Sequence, residues 1–223
     1  MFKLLCYICL SLPLLSIAAP KTFFDIAISK NKDMIKKIQA HPFNQELNQG
    51  NLPPALFKEF TKQDDYYLTI YNQFAKKLYR RLTKQQQQQF LLVESLALEQ
   101  PKPSFSKIKL TPANYAYTNF LLKTAKQHIN GALIAAMLPC QWLYQVVYNK
   151  SKTIQKYKLN PYQSWLSTYQ TKSYHQATQH FIHLANQVYI KAKPQNQKLM
   201  LKAFSNAVNF EYQFWNDIYR NKL

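Results

Sequence analysis

The sequence predicts a single all-α domain, and three observations support this fold class. The chain has 223 residues but only two glycines, Gly50 and Gly131, so it has little material for the positive φ angles of tight hairpin turns. Apolar residues recur at intervals of three and four along most of the chain, which is the period of an amphipathic helix. Hydrophobic residues make up 47% of the chain, enough to bury one core at this length. No change in composition marks a linker, so we expect one helical domain over residues 20–223.

Residues 1–19 have the features of an export signal. Lys3 provides a basic start, and the segment continues with an apolar stretch, LLCYICLSLPLLSIAA. Small residues then offer a cleavage position near Ala18 or Ala19. We expect the signal to be cleaved there and the mature chain to be exported, either to a periplasm or to the medium. The alternative is an uncleaved membrane anchor, although the stretch is short for a full span.

The first half of the mature chain is expected to form two long helices. The first covers residues 23–40 and ends before His41, because the residue that precedes a proline is disfavoured in the α conformation. Residues 44–54, NQELNQGNLPP, read as a polar turn. A second helix follows Pro54, and its apolar positions keep the helical spacing: Phe57, Phe60, Tyr67, Leu68, Tyr71, Phe74 and Leu78.

The second half of the chain continues with helices that begin near prolines. The glutamines at 85–89 indicate a helix surface or a junction, and residues 101–105, PKPSF, should break the chain. A long helix is expected from Pro112, and two more should follow Pro161 and Pro194.

Residues 131–148 form an apolar stretch about long enough to cross a membrane. The stretch contains Gln141, Gln145 and Pro139, and its aromatic residues are spread through it rather than placed at its ends. We therefore expect a buried helix in the core of a bundle.

Cys140 is the only cysteine of the mature chain, because Cys6 and Cys9 belong to the signal. A lone cysteine cannot form an internal disulfide, so it is either a buried packing residue or a thiol kept for chemistry. Its helical face is apolar, which places it toward the core. Pro139 leaves two possibilities: it begins a new helical segment whose amides and dipole stabilise a thiolate, or it kinks a continuous helix and frees backbone polar groups.

The few acidic residues are informative, because burial of a carboxylate is costly unless it is paired or protonated. Asp64 lies four residues after Phe60 and three before Tyr67, on the core stripe of its helix, whereas Asp65 is turned toward the flank. Glu211 falls on the apolar stripe of the last helix. Both could serve chemistry together with Cys140. The alternative is a packed cysteine beside two acids that are satisfied within a core.

The formal net charge is +19, which raises the question of a polyanionic partner. Nearly all of the cations are lysines, since only Arg80, Arg81 and Arg220 are arginines, and arginine is the residue favoured for bidentate recognition of bases and phosphates. The basic residues are also scattered along the chain. We interpret them as a solvated surface and do not expect a nucleic-acid partner.

No metal site is expected. None of the five histidines has a glutamate three residues before it, so the signature of carboxylate-bridged iron bundles is missing. His180 and His183 could share a helix face, but no third ligand accompanies them, and we expect surface or packing roles.

Several motifs resemble the TenA/thiaminase II family, in that family's order along the chain. They are HPF at 41–43, QDDYYL at 63–68, NYAYTNFLL at 114–122, AAMLPCQWLY at 135–144, WLSTY at 165–169 and EYQFW at 211–215. The combination of LPCQWLY with EYQFW is the most specific part of the resemblance, and it indicates the type of the family that has a cysteine in its site.

The resemblance implies an all-α, heme-oxygenase-like bundle, often a homotetramer, that needs no metal or other cofactor. It implies a hydrolase that acts on thiamin or on aminopyrimidine products of thiamin breakdown and releases hydroxymethylpyrimidine for salvage. By their places in the motifs, Cys140 would be the nucleophile, Glu211 the acid and base, and Asp64 the partner of the pyrimidine amino group. Five further residues would shape the site and stack on the ring: Tyr67, Tyr117, Tyr144, Tyr169 and Phe214.

The chain also departs from the family pattern. The segment between Tyr67 and Tyr117 is shorter than expected, and Gln170 and Thr171 stand where glycines are expected. An export signal is unusual for a salvage enzyme. Three other functions compete with the hydrolase: a pyrimidine-binding protein without turnover, a basic nucleic-acid-binding or regulatory protein, and a heme or di-iron relative on the same fold.

Overall fold

The computed structural model describes residues 21–90, 108–148 and 160–220, and these residues are almost entirely helical, with no strand among them. The helices are α1 (Phe23–Lys30), α2 (Lys32–Gln39), α3 (Pro42–Gln49), α4 (Pro54–Tyr79), α5 (Pro112–Lys126), α6 (Asn130–Tyr148), α7 (Gln163–Thr168), α8 (Lys172–Ile190) and α9 (Pro194–Arg220). Residues 84–90, which include the glutamines, are also helical. The predicted all-α class is confirmed. The predicted signal at 1–19 and the predicted break at 101–105 lie outside the described residues.

Helix α6 forms the centre of the bundle. It packs against α4, α5, α8 and α9, and its contact with α9 is the most extensive between any two of the described helices. By length and hydropathy α6 could cross a membrane, but 78% of its most apolar window is buried inside the bundle. This burial is typical of a core helix in a soluble protein, as the sequence predicted.

Three of the long helices begin where local signals predicted. Pro54, Pro112 and Pro194 are the first residues of α4, α5 and α9, a position where the missing N–H of proline costs nothing. Thr111 and Thr171 cap α5 and α8, since the hydroxyl of each accepts the backbone N–H three residues later.

The opening helix differs from its prediction, because it is divided into α1 and α2 at Asn31. The side-chain amide of Asn31 donates to the carbonyl of Ala27 at 2.8 Å and to the hydroxyl of Ser205 on α9 at 3.0 Å. The break is therefore stabilised by a contact with a residue far away in the sequence, which no local pattern reveals.

The predicted polar turn at 44–54 was wrong for its first part, because residues up to Gln49 form α3. The Nδ1 atom of His41 accepts the backbone N–H of Phe43 and caps the helix. Phe43 and Leu47, four residues apart, place their side chains in the core. Gly50 then ends α3 with a left-handed conformation, at a φ of 75°.

The helix predicted after Pro161 is also divided, into α7 and α8, by a turn at 169–171. Gln170 and Thr171 occupy this turn without a positive φ angle, so the geometry does not require the glycines that the family pattern suggested. The side-chain amide of Gln170 donates to the carbonyl of Tyr148 at 3.0 Å and ties the turn to the end of α6.

Candidate active site

Cys140, Asp64 and Glu211 come from three helices, α6, α4 and α9, and are buried at one place in the bundle. Their exposed fractions are 9%, 5% and 2%. Burial raises the pKa of the Cys140 thiol well above its usual range, and the charges of Glu211 and Asp64 raise it further. The three groups therefore interact with one another, and their burial agrees with the inward faces that the sequence predicted.

Each carboxyl group is held by a tyrosine from a neighbouring helix. The Tyr117 hydroxyl on α5 donates to Oε1 of Glu211 at 3.0 Å, and the Tyr144 hydroxyl on α6 donates to Oδ1 of Asp64 at 3.3 Å. Hydrogen bonds to buried polar groups offset the cost of removing them from water and fix their direction.

The pKa values of the two carboxyl groups are raised toward neutral pH. Burial raises the pKa of Glu211 to about 8, although its hydrogen bond with Tyr117 acts in the opposite direction. Burial also raises the pKa of Asp64 to about 7, with a further contribution from the charge of Asp65. Groups with pKa values near 7 can both donate and accept protons under physiological conditions.

Helix α6 is continuous through Pro139, so of the two possibilities for this proline the structure shows the proline inside a helix. Cys140 therefore lies in the middle of α6 and not at a helix N-terminus, and the helix dipole does not lower the pKa of its thiol. Pro139 has no N–H to donate to the carbonyl of Ala135, four residues earlier, which leaves one backbone acceptor of this turn without its helical partner.

The five predicted ring residues line the same site. The ring of Tyr67 lies 4.7 Å from that of Tyr117 and 6.2 Å from that of Phe214, measured between centroids. The rings of Tyr144 and Tyr169 are 5.2 Å apart, and both residues interact with Asp64 and Cys140. The structure thus brings together all eight residues that the motifs singled out.

Several further aromatic residues belong to the site and were not predicted as part of it. Phe210 stacks on Tyr117 at 5.3 Å, and Trp215 lies 5.5 Å from Tyr144. Tyr174, on α8, packs against Tyr169 at 5.1 Å and donates to the carbonyl of Gln141 at 2.8 Å. No motif pointed to Tyr174, because its place depends on how α8 packs against α6.

Tyr71 is another site residue that the motifs missed, although a signal for it was present. It lies seven residues after Asp64 and four after Tyr67, on the same face of α4, and its ring is 6.0 Å from that of Tyr67. The charges of Cys140 and Glu211 contribute, after burial, to a raised pKa of Tyr71. The hydroxyl groups of Tyr67 and Tyr71 are both buried, and that of Tyr71 has no hydrogen-bond partner among the described residues.

The described residues offer no group of three His, Cys, Asp or Glu side chains that could hold a metal ion. His180 and His183 are exposed on α8, as predicted. A surface cavity of about 370 Å³ lies at the N-terminal end of α6, and its lining residues include His128, Gly131, Lys191 and Met200. None of the predicted site residues lines that cavity.

Comparisons with protein families and with known proteins point to the same family. The family model described as TENA/THI-4/PQQC family matches residues 82–221. The chain is 28% identical over 198 residues to the aminopyrimidine aminohydrolase of Bacillus subtilis (strain 168), with 82% of this chain and 83% of that protein covered.

Solved structures of TenA homologues show the same fold. The homologue from P. horikoshii OT3 has a TM-score of 0.75 and 20% identity, over 90% of this chain and 99% of that one. The homologue from Pyrococcus furiosus has a TM-score of 0.78 and 15% identity, over 88% of this chain and 100% of that one. The expected heme-oxygenase-like bundle is confirmed. Because the family model matches more than half of its residues, the chain belongs to the TENA/THI-4/PQQC family.

Proposed function

We propose that this protein is a hydrolase of aminopyrimidine compounds, either thiamin or its breakdown products, and releases hydroxymethylpyrimidine by covalent catalysis at Cys140. The observation that carries the proposal is the burial of Cys140 with Asp64 and Glu211 between aromatic walls. The similarity to a relative named aminopyrimidine aminohydrolase supports this choice of substrate class.

The site suits a flat and weakly basic ring. The rings of Tyr67 and Tyr117 and the rings of Tyr144 and Tyr169 can provide apolar walls for it. Asp64 can accept hydrogen bonds from the amino group of the pyrimidine, and Tyr144 keeps the carboxyl group in place.

In the proposed reaction, the sulfur of Cys140 forms a bond to a ring carbon, and Glu211 gives a proton to the ring nitrogen beside that carbon. An electron pair of the resulting dihydropyrimidine ring then expels the leaving group, which leaves a cationic ring with an exocyclic methylene. Water then adds to the methylene, and its proton passes to Asp64 where that residue has protonated an amine leaving group, or to solvent where thiazole has left. Finally the bond between sulfur and carbon breaks, and Glu211 recovers the proton of the ring nitrogen.

The thiolate must form during the reaction, because the pKa of the Cys140 thiol is raised in the resting site. Asp64, with a pKa of about 7, is partly ionised at neutral pH and can accept the thiol proton. An amine leaving group would take up that proton as it departs, whereas thiazole leaves thiamin as a neutral molecule without it.

The test is to incubate the purified chain, with and without residues 1–19, with thiamin and separately with aminomethylpyrimidine. Hydroxymethylpyrimidine is followed by chromatography, and Cys140→Ser is the matched control. We expect product from the parent and a loss of at least about a thousandfold in the variant, since a serine hydroxyl is a far weaker nucleophile at neutral pH. Product formation by neither protein would contradict hydrolysis and favour a pyrimidine-binding protein.

We also propose that residues 1–19 direct export and are removed near Ala18 or Ala19. The basic start, the apolar stretch and the small residues before the cleavage position support this proposal. The N-terminal sequence of the protein recovered from the periplasmic or extracellular fraction tests it, and an intact Met1 on cell-bound protein would contradict it.

We propose a homotetramer as the assembly, on the basis of the resemblance to TenA proteins. Light scattering coupled to size-exclusion chromatography measures the mass directly. A mass of one 26.3 kDa chain would contradict the proposal.

A further inference from the structure

Three tyrosine hydroxyls around Cys140 already donate their hydrogen bonds to other groups. Tyr117 donates to Glu211, Tyr144 donates to Asp64, and Tyr174 donates to the carbonyl of Gln141. None of these hydroxyls is free to stabilise a negative charge on sulfur.

Tyr67 and Tyr71 differ from these tyrosines. Their exposed fractions are 2% and 3%. The Tyr71 hydroxyl has no hydrogen-bond partner in the part of the chain that the structure describes, whereas the Tyr67 hydroxyl interacts with Tyr117 and with Cys140. A buried hydroxyl without a partner costs free energy, so a polar group at this position calls for an explanation. The explanation must involve the interior of the site, because both residues lie on the face of α4 that carries Asp64.

The other groups around the thiol oppose its ionisation. The titratable groups that interact with Cys140 come from α4, α5, α6, the turn at 169–171, α8 and α9, and are Asp64, Tyr67, Tyr71, Tyr117, Tyr144, Tyr169, Tyr174 and Glu211. The two carboxylates raise the pKa of the thiol, while interaction with the Tyr67 hydroxyl lowers it. No lysine contributes, because every lysine that the structure describes is exposed.

We propose that the Tyr71 hydroxyl donates a hydrogen bond to the Cys140 thiolate when it forms, as a second donor beside Tyr67, and so makes the nucleophile available. The inference deepens the proposed function and rests on it. Of the charged groups that affect Tyr71, Cys140 has the largest influence, and Tyr71 and Tyr67 stand one helical turn apart. A phenol is a good donor to an anion in a buried site, where charge-assisted hydrogen bonds are strong.

The test removes only the hydroxyl, in Tyr71→Phe, and measures the reactivity of the thiol without a substrate. The alkylation rate of Cys140 with iodoacetamide is followed by mass spectrometry of its tryptic peptide, which separates it from Cys6 and Cys9. At a pH below the midpoint of the thiol, we expect the rate to fall about tenfold. Tyr115→Phe, on the exposed surface of α5, is the matched control and should keep the parent rate.

A second reagent distinguishes ionisation from access. N-ethylmaleimide is larger than iodoacetamide, so a change in access would alter the two rates unequally, whereas a smaller thiolate fraction lowers both by the same factor. Equal rates in the parent and Tyr71→Phe would overturn the proposal, and so would a reduction confined to the larger reagent.

Stability and turnover provide independent readouts. Because the hydroxyl lacks a partner among the described residues, Tyr71→Phe should unfold at a temperature no lower than the parent. With an active parent, kcat should fall about tenfold while KM changes little, since the hydroxyl acts on the nucleophile. If the parent forms no product, the hydrolase proposal fails while the alkylation rates still decide the role of Tyr71.

Discussion

Glu211 is a carboxylic acid in the interior of a helical bundle, and its protonation is linked to folding. Its pKa is about 8 in the folded protein and near the ordinary value of a glutamate in the unfolded chain. Between these two values the folded state binds more protons than the unfolded state, so the free energy of unfolding decreases as the pH rises.

The first prediction concerns Glu211→Gln, which is neutral at every pH. Relative to the parent, the variant should gain stability as the pH rises from 5 to 8, and the gain should level off above pH 8. The slope is at most about 1.4 kcal/mol per pH unit, and urea denaturation at several pH values measures it. Glu59→Gln, at a partly exposed position outside the site, is the control and should show no such growth. A difference that is independent of pH would contradict the raised pKa.

The second prediction concerns the hydrogen bond between Tyr117 and Glu211. This bond lowers the pKa of Glu211, so Tyr117→Phe should raise it above about 8. If Glu211 donates a proton in the reaction, the basic limb of the kcat/KM profile moves to higher pH, by less than about one pH unit for one hydrogen bond. Tyr115→Phe should leave the limb unchanged, and a movement toward lower pH in Tyr117→Phe would exclude this role for Glu211.

At the scale of the elements, the C-terminal end of α3 packs against the segment that precedes α7. Gly50 ends α3 in a left-handed conformation, and an added Cβ would lie 3.1 Å from Pro161 and 3.2 Å from the side chain of Asn160. The Asn160 amide donates to the carbonyls of Leu47 and Asn48. The end of α3 and the approach to α7 are therefore coupled.

The third prediction is that Gly50→Ala destabilises the protein by about 1–2 kcal/mol, because a left-handed conformation is strained for a residue with a Cβ atom. Gly50→Asn should cost less, since asparagine tolerates this conformation better. Chemical denaturation gives the order of stability, parent above Gly50→Asn above Gly50→Ala. An alanine variant as stable as the parent would show that the turn relaxes.

At the scale of the whole molecule, the positively charged side chains are separated from the candidate active site. Every described lysine is exposed, whereas the candidate site is buried and contains two carboxyl groups and a ring of tyrosines. The scattered cations thus form a solvated surface, as the sequence suggested. The long helices α4, α5, α6 and α9 all contribute residues to the site, so a ligand bound there would hold these four together.

The fourth prediction follows from this assembly. Hydroxymethylpyrimidine, at a fixed concentration of one hundred times its Kd for the parent, should raise the free energy of unfolding of the parent by about 2.7 kcal/mol. Unfolding should remain a single transition. The rise should be strongly reduced in Asp64→Asn, which cannot offer a carboxylate to the amino group. Asp33→Asn, at an exposed position on α2, is the matched control. Differential scanning calorimetry checks both variants, and an equal rise in Asp64→Asn would contradict the assigned contact.

Much of the fold could be predicted from the sequence because its signals are local. Helical periodicity showed the all-α class and turned Asp64, Cys140 and Glu211 toward the core, and prolines marked the first residues of α4, α5 and α9. The same reasoning failed where a contact with a residue far away in the sequence determines the end of a helix. The break at Asn31 depends on Ser205, which lies on α9 and is 174 positions further along the chain.

The sequence by itself therefore determined the class of fold, the long helices and the residues that face inward, since these follow from the spacing of side chains along one helix. The tertiary structure alone decided how those residues act on one another. The hydrogen bond from Tyr117 to Glu211, the raised pKa of Cys140 and the influence of Cys140 on Tyr71 all require separate helices to be packed together. Burial and proximity are properties of that packing, and no local pattern contains them.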